Sequence, residues 1–307
     1  MLALLVSGRS FAQEAPQDAP ASSPPQSEEG GNAPKYFSAY QPNYIIGSTN
    51  GGTNSGCDLK FQISLKQRLA DLQEAKSIEE IDREWYNRFF FGYTQRSFWD
   101  ICRESAPFRD SVFGPELFHA SEIALNGDDT VTNHKLRTQL GVKHASNGRD
   151  GNGSRSWNRA YVEAVYSYGH DLRASWFGYD TPHGFKDGTT PMLSLGITAW
   201  YIIDTGDEND DIADYLGYGR LRVAYSTKGE QINLSSWVGT KGKVSIEANL
   251  ILKTLPLLED MPLVGWVLPS TKNTYFWQLQ YFDGYGDELL DYNRRQQVVR
   301  LGLLFTY

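Results

Sequence analysis

The sequence predicts an all-β protein, and three observations favour a membrane-spanning antiparallel β-barrel over a soluble sandwich. Apolar and polar residues alternate with a period of two in one segment after another from Asn43 onwards, as in strands with one apolar face. The opposite faces carry many long charged side chains, which suits a polar lumen. The 18 Tyr and 8 Trp residues are typical of aromatic girdles at membrane interfaces.

Alternation identifies roughly twelve strands, in keeping with the even number expected of such barrels. The apolar faces include Leu59, Phe61, Ile63, Leu65, Leu193, Leu195, Ile197, Val299, Leu301, Leu303 and Phe305. The faces predicted to line the lumen include Lys60, Lys66, Arg155, Arg159, Glu163, Arg220, Arg222, Glu247 and Arg300. A solvated sandwich face would also fit the alternation, but an aromatic last strand is typical of outer-membrane barrels. The exception to the strand pattern is a short helix predicted within residues 77–86.

Composition excludes several classes of protein. The net charge of -8 argues against a nucleic-acid partner, which requires a basic surface. No apolar run approaches the 20 or so residues that a spanning helix needs.

The two cysteines, Cys57 and Cys102, fall at the ends of adjacent predicted strands at the same rim. We therefore expect a disulfide, which an oxidising envelope favours, with two reduced and packed thiols as the alternative.

The amino-terminal segment divides into two parts before the barrel. Residues 1–12 resemble a truncated signal peptide, with cleavage expected after Ala12. Residues 13–34 are rich in Pro, Ser, Gln and acidic residues and lack large apolar side chains, which predicts disorder. We extend this tail to Pro42 and begin the barrel domain, residues 43–307, at Asn43.

One hairpin, residues 144–159, combines residue types that carry chemistry. Strand parity puts His144 and Ser146 on the apolar face of one strand and Asn158 on the apolar face of the next. The turn Asp-Gly-Asn-Gly is a reversal point centred on Gly151, which sets His144 opposite Asn158. A serine becomes a nucleophile when a base removes its proton, and the base needs a third group to orient it. The alternative is a polar hairpin tip with turn-forming side chains.

The two halves of this hairpin, HASNGR and SRSWNR, resemble the active-site signature of the outer-membrane phospholipase A family at the family spacing. The similarity extends to GYTQRSFW, SAPFR, DYLGYGRLRVAY and GYGDELLDYN and covers most of the chain after Asn43. The resemblance implies a twelve-stranded barrel in the bacterial outer membrane with its active site toward the cell surface. It also implies Ser146 as nucleophile, His144 as base and Asn158 as orienting residue.

The resemblance further implies a calcium ion and a homodimer. The matching calcium ligands are the carbonyl of Arg149, the hydroxyl of Ser154, and Ser105 of a second subunit. The backbone N–H groups of Ser146 and Gly148 would stabilise the oxyanion. Gln95 matches the family's amide that pairs across the dimer. The alternative is that water, or a position at the barrel rim, satisfies the hydrogen-bonding groups of this side chain.

One acidic loop is a further candidate site, and two other stretches depart from the family pattern. Residues 207–211 form an acidic loop that could hold a second calcium ion, although a solvated loop is the favoured interpretation. The family's acidic residue just after the active-site arginine is replaced by Gly151, which counts against such a site. Residues 180–191 and 255–270 lengthen two connections that we expect at periplasmic turns.

With this resemblance, the expected function is calcium-dependent hydrolysis of phospholipid acyl esters, of phospholipase A1, A2 and lysophospholipase type, regulated by dimerisation. The expected partners are phospholipid substrate, outer-membrane lipid and a second copy of the chain. The alternative is a structural or channel-forming barrel, against which a lumen crowded with Arg, Lys and Glu counts.

Overall fold

The computed structural model describes residues 37–49, 57–69, 85–125, 133–169, 192–227, 230–252 and 275–305. The predicted signal peptide, residues 13–36 of the predicted tail and the two lengthened connections lie outside these residues, as does most of the predicted helix at 77–86. Within the described part of that segment, a 3-10 turn begins at Trp85 and ends at Arg88. No helix among the described residues is long and apolar enough to cross a membrane.

The described residues form one antiparallel sheet. Its strands are β1 (Phe37–Ala39), β2 (Asn43–Ser48), β3 (Asp58–Arg68), β4 (Phe89–Trp99), β5 (Phe108–Ala124), β6 (Asn133–Ser146), β7 (Ser156–Gly169), β8 (Met192–Thr205), β9 (Gly219–Thr227), β10 (Glu230–Val238), β11 (Val244–Leu252), β12 (Tyr275–Gly284) and β13 (Gln296–Phe305). A single α-helical turn, α1 (Ala213–Leu216), lies between β8 and β9.

The sheet closes on itself. Sequential strands pair from β2 to β13, and β13 pairs back onto β2. Both β1 and β2 pair with β3, through Phe37 opposite Gln67 and Tyr44 opposite Gln62, so they form one interrupted strand. The barrel consequently has twelve positions, and the predicted fold class is confirmed.

The barrel begins earlier than the sequence boundary at Asn43. Residues 37–39 pair with β3, and Tyr40 is buried with its ring stacked 5.0 Å from that of Phe118. Residues 37–42, to which the predicted tail was extended, therefore belong to the barrel. Burial of the Tyr40 ring stabilises this segment enough to offset the conformational entropy lost when the segment is ordered. A tail without large apolar side chains has no such compensation.

The two faces of the sheet separate as alternation predicts. Ile63, Leu195 and Val299 face outward and are each about half exposed, whereas Lys60 and Arg300 point inward and are almost fully buried. Buried charges are costly unless they are paired. Lys60 and Arg300 share the carboxylate of Asp287, at 2.5 and 2.8 Å. A cavity of about 290 Å³ lies in the lumen and is lined partly by such charged side chains, among them Glu116, Arg159 and Arg222.

The segment between β12 and β13 packs over the end of the barrel where β6 stops. The carboxylate of Asp110 accepts hydrogen bonds from the backbone N–H groups of Leu289 and Leu290, each at 2.9 Å. Leu289 and Tyr292 pack in one apolar cluster with Val112, Ala145, Trp157 and Ile212. This segment thereby packs against the inner face of the β6–β7 hairpin.

The predicted disulfide is confirmed. Cys57 precedes β3 and Cys102 follows β4, and the structure joins them across a Cα–Cα distance of 5.6 Å. This distance lies within the range that a disulfide spans. The bridge ties the loop after β4 to the start of β3.

Candidate active site

The hairpin of β6 and β7 has the register predicted from the sequence. His144 lies opposite Asn158, and Ser146 lies opposite Ser156. The connection, residues 147–155, contains a 3-10 turn at Gly151–Gly153, and Gly151 adopts a φ of +53°. This left-handed conformation favours a glycine at the reversal point, as the turn sequence indicated.

The three predicted catalytic side chains lie on the outer wall of the barrel. Their strand neighbours on that face, Leu140, Val142 and Val162, are 63, 48 and 50 % exposed, as expected of residues that contact lipid. The internal cavity is lined from the opposite face and does not include Ser146, His144 or Asn158. The candidate site and the cavity are therefore separated by the barrel wall.

His144 and Asn158 are in contact through their polar atoms. Nδ1 of His144 lies 2.8 Å from Oδ1 of Asn158. An amide oxygen accepts and does not donate, so Nδ1 must carry the proton and Nε2 is left free to accept one. Within the described residues, Ser146 makes no hydrogen bond to His144, although both side chains share one strand face. Catalytic hydrogen bonds are often long before substrate binds and tighten afterwards.

Asn147 organises the loop that follows Ser146. Its side-chain oxygen accepts from the N–H of Arg155 at 3.0 Å, and its side-chain nitrogen donates to the carbonyl of Gly153 at 2.8 Å. Asn147 is buried, so these bonds are shielded from water. Gly148 follows with a φ of +64°, a left-handed conformation that favours glycine. In the sequence, Asn147 stands out only as part of the HASNGR motif.

Two further contacts anchor the hairpin from other parts of the chain. Asn209, fully buried, accepts from the backbone N–H of Ser156 at 3.0 Å and donates to its carbonyl at 2.9 Å. The guanidinium of Arg149 donates to the carbonyl of Arg109 on β5. Asn209 belongs to the acidic loop considered as a second calcium site, and in the structure its side chain holds the start of β7.

The residues expected to bind calcium fall in two loops. Arg149 and Ser154 lie in the loop between β6 and β7, while Ser105 lies in the loop between β4 and β5 and is exposed. Ser105 and Ala106 both have positive φ, of 60° and 39°. Among the described residues no group of three or more His, Cys, Asp or Glu side chains is arranged to hold a metal ion. The expected ligands are instead carbonyl and hydroxyl oxygens, the hard donors that calcium accepts.

Gln95 faces outward from β4, as predicted, and finds partners within its own chain. The hydroxyl of Tyr93 donates to the Gln95 side-chain oxygen at 3.1 Å, and the Gln95 nitrogen donates to the hydroxyl of Ser97 at 3.2 Å. These residues form a polar stripe on the outer wall. The amide thus avoids the cost of an unsatisfied group facing lipid without a second subunit.

Two neighbouring carboxylates in the segment between β12 and β13 have opposite pKa shifts. Burial raises the pKa of Asp287, but contacts with Arg300 and Lys60 outweigh it and hold the pKa well below its usual range. Burial dominates at Glu288 and raises its pKa to about 7. The difference arises because Asp287 contacts two cations, whereas Glu288 shares Arg109 with Asp58 and Asp100.

The fold and the site together define a twelve-stranded barrel of the outer-membrane type with a Ser-His-Asn constellation on its outer wall. The chain matches the phospholipase A1 family over residues 32–305. It therefore belongs to the phospholipase A1 family, and the resemblance in its sequence motifs is confirmed.

Similar proteins agree with this assignment. The chain is 30% identical over 280 residues to a putative phospholipase A1 of Neisseria meningitidis and 31% identical over 217 residues to phospholipase A1 of Klebsiella pneumoniae. These alignments cover 86% and 70% of this chain, and each covers 61% of the relative's length.

Solved structures share the fold. Outer membrane phospholipase A from Escherichia coli superposes with a TM-score of 0.63 at 22% identity, covering 87% of this chain and 93% of that one. The Salmonella typhi outer membrane phospholipase, solved as a dimer with bound calcium, gives 0.62 at 23% identity and covers 90% and 94%. An active-site mutant of the Escherichia coli protein, in which an asparagine is replaced by alanine, gives 0.63 at 22% identity and covers 91% and 95%.

Proposed function

We propose that this protein sits in the bacterial outer membrane and hydrolyses acyl esters of phospholipids on the outer wall of its barrel, toward the cell surface. The observation that carries the proposal is the 2.8 Å contact between His144 and Asn158, on the lipid-facing surface that also presents Ser146. A nucleophile in that position would meet the ester group of a phospholipid whose chains remain in the membrane. Family membership supports the same reaction.

The proposed reaction begins at Ser146. Its Oγ attacks the ester carbonyl carbon while Nε2 of His144 takes the hydroxyl proton, and Asn158 keeps the imidazole in the tautomer that can accept it. His144 then gives the proton to the departing alcohol oxygen of the lysophospholipid. Water activated by His144 hydrolyses the acyl-enzyme and releases the fatty acid. Both glycerol esters, and lysophospholipids, are suitable substrates.

The backbone N–H groups of Ser146 and Gly148 are the proposed donors to the oxyanion. The left-handed φ of Gly148 supports a turn of the backbone immediately after the nucleophile. Beside it, the Arg149 carbonyl and the Ser154 hydroxyl would hold calcium, with Ser105 of a second subunit and water completing the shell. The ion would supply positive charge near the developing oxyanion. The Salmonella typhi outer membrane phospholipase, solved as a dimer with bound calcium, supports the proposal of a calcium ion and a second subunit.

Dimerisation is proposed as the means of control, because Ser105 would complete the ion's shell only from a neighbouring subunit. The polar stripe around Gln95 lies on the outer wall of the same strand whose following loop carries Ser105. A second subunit placed there would bring both features into one interface.

The experiment measures fatty acid released from detergent-dispersed phosphatidylcholine by the purified protein, with calcium and with a chelator. Ser146→Ala should abolish release. Ser156→Ala is the matched control, because Ser156 lies directly opposite Ser146 in the hairpin and its removal deletes the same hydroxyl from the same face. Release that persists in Ser146→Ala would refute the proposed nucleophile.

The rival function, a channel, is tested alongside. Conductance across a planar bilayer with no esterase activity would favour it. The lumen argues against an open bore, because Lys60, Arg300 and Asp287 form a fully buried ionic cluster within it.

A further inference from the structure

We infer that Asp204 is a fourth member of the proposed Ser-His-Asn site, a positioning residue that acts on His144 through Asn158. The inference rests on the proposed function, since it extends the site assigned there. Its first observation is a contact: Nδ2 of Asn158 lies 3.4 Å from Oδ2 of Asp204. The amide of Asn158 therefore spans two partners, accepting from His144 and donating to Asp204.

The second observation is a β-bulge that creates this contact. From Tyr168 to Arg159 the pairing of β7 with β8 is regular, and Arg159 lies opposite Ile202. The next residue of β7, Asn158, lies opposite Asp204, so Ile203 is the extra residue. A bulge of this kind re-aims the side chains that follow it, and such bulges are common beside active sites.

Without the bulge, Asp204 would point into the lumen. Tyr201 and Ile203, at 71 and 55 % exposure, mark the outer face of β8, and strict alternation would put Asp204 on the inner one. The inserted residue returns Asp204 to the outer face beside Asn158, where it is exposed. Asp204 precedes Thr205, the last residue of β8, and a carboxylate is tolerated better at a barrel rim than at mid-membrane.

The chemical consequence concerns the imidazolium that forms when His144 takes the Ser146 proton. An amide that donates to a carboxylate is fixed in orientation, so its oxygen stays directed at Nδ1 of His144. The carboxylate also polarises the amide and adds negative charge near the imidazolium. Asn158 is neutral, but with Asp204 behind it the site gains part of the stabilisation of the imidazolium that an aspartate supplies in other triads.

The test uses two substitutions that separate orientation from charge. Asp204→Asn keeps a side-chain oxygen to accept from Asn158 but removes the charge, whereas Asp204→Ala removes both. We expect Asp204→Ala to lower kcat roughly 3- to 10-fold. The effect should be modest because the hydrogen bond from Asn158 to the Asp204 carboxylate is exposed to solvent. Asp204→Asn should retain more of the plateau rate. In both variants the acid limb of the pH–rate profile should move to lower pH, because the imidazolium loses stabilisation.

Two comparisons make the role specific. Asp283→Asn removes a carboxylate from the end of β12, far around the barrel, and should leave rate and profile unchanged. In an Asn158→Ala background, Asp204→Ala should have no further effect, because its influence passes through the missing amide. An undiminished effect in that background, or no effect of Asp204→Ala in the active wild type, would overturn the inference and leave the proposed function standing.

A measurement that does not depend on activity distinguishes failure of the inference about Asp204 from failure of the proposed function. The imidazole of His144 is followed through a pH titration by NMR with nitrogen-15-labelled histidine, assigned with His144→Gln. Its midpoint should fall in Asp204→Ala. An unchanged midpoint would refute the role of Asp204 even if the wild type proves inactive, whereas inactivity with a shifted midpoint would refute only the proposed function.

Discussion

Nδ1 of His144 lies 2.8 Å from Oδ1 of Asn158 across the β6–β7 hairpin. The contact depends on a register in which the two residues are directly opposite, on a face that exposes apolar side chains on both strands. An asparagine can orient an imidazole there without placing an unpaired charge against lipid.

Replacing Asn158 should impair catalysis without unfolding the barrel. Asn158→Ala removes the acceptor that fixes the His144 tautomer, so kcat should fall by about 10²-fold, with little change in KM. Rates of phosphatidylcholine hydrolysis at several substrate concentrations provide the measurement. Asn152→Ala, an exposed asparagine of the same hairpin loop, is the control and should behave as wild type. Equal activity of the two variants would show that Asn158 has no orienting role.

Gln95 should contribute to dimerisation even though it has partners in its own chain. Gln95→Ala is expected to lower the yield of crosslinked dimer in the presence of calcium and a substrate analogue. The substitution removes the amide proposed to pair across the interface and leaves the Tyr93 and Ser97 hydroxyls without that partner. Gln297→Ala is a matched control, since Gln297 is an exposed amide on β13 that donates to Tyr281 at 2.9 Å. Equal dimer yields from wild type and Gln95→Ala would contradict this.

The Cys57–Cys102 disulfide should support both stability and the loop that carries Ser105. Alkylation without reductant should leave both cysteines unmodified by intact mass, and two modified thiols would rule the bridge out. Replacing both cysteines with serine should lower the free energy of unfolding in detergent by about 2–4 kcal/mol, the contribution of a typical disulfide. The protein should therefore unfold at a lower temperature. Because Cys102 lies three residues before Ser105, the calcium concentration for half-maximal activity should also rise.

The buried cluster around Asp287 predicts a pH dependence of stability. The pKa of Asp287 is lowered in the folded protein, so its contribution is fully present above the pKa of an unfolded aspartate, about 4, and is lost as pH falls through the lower folded value. Wild type should therefore lose heat stability progressively as the pH falls below about 5, and the loss should continue below about pH 3 because the folded pKa of Asp287 is so low.

Asp287→Asn is the corresponding variant. It leaves Lys60 and Arg300 without their shared carboxylate and should cost on the order of 3–5 kcal/mol at neutral pH. The variant should also lose less stability than wild type on acidification. Equal losses in circular-dichroism melts of both proteins would show that Asp287 is not the responsible group.

The sequence predicted the barrel and the pairing within the hairpin because both follow from local patterns. Alternation marks each strand face, and a turn centred on Gly151 is enough to set His144 opposite Asn158. The outward position of the site follows from the same parity. The disulfide could be predicted because strand order alone brings Cys57 and Cys102 to one rim.

Features that depend on distant residues could not be predicted in this way. The bulge that turns Asp204 outward has no glycine or proline to mark it, and parity would have put this side chain in the lumen. Asn209 reaches Ser156 across 53 positions of sequence, so no local pattern indicates the contact. The barrel start was placed too late because the partner of Tyr40, Phe118, lies on another strand.

The central claim is that Ser146 is a nucleophile on the outer wall, and covalent labelling tests it most directly. The purified protein is treated with a long-chain alkyl fluorophosphonate in calcium, digested, and mapped by mass spectrometry, with His144→Ala and Ser156→Ala in parallel. We predict one adduct, on Ser146, that is formed by wild type and Ser156→Ala and is lost in His144→Ala. An adduct on another residue, or none on a folded protein that still hydrolyses phospholipid, would contradict the account.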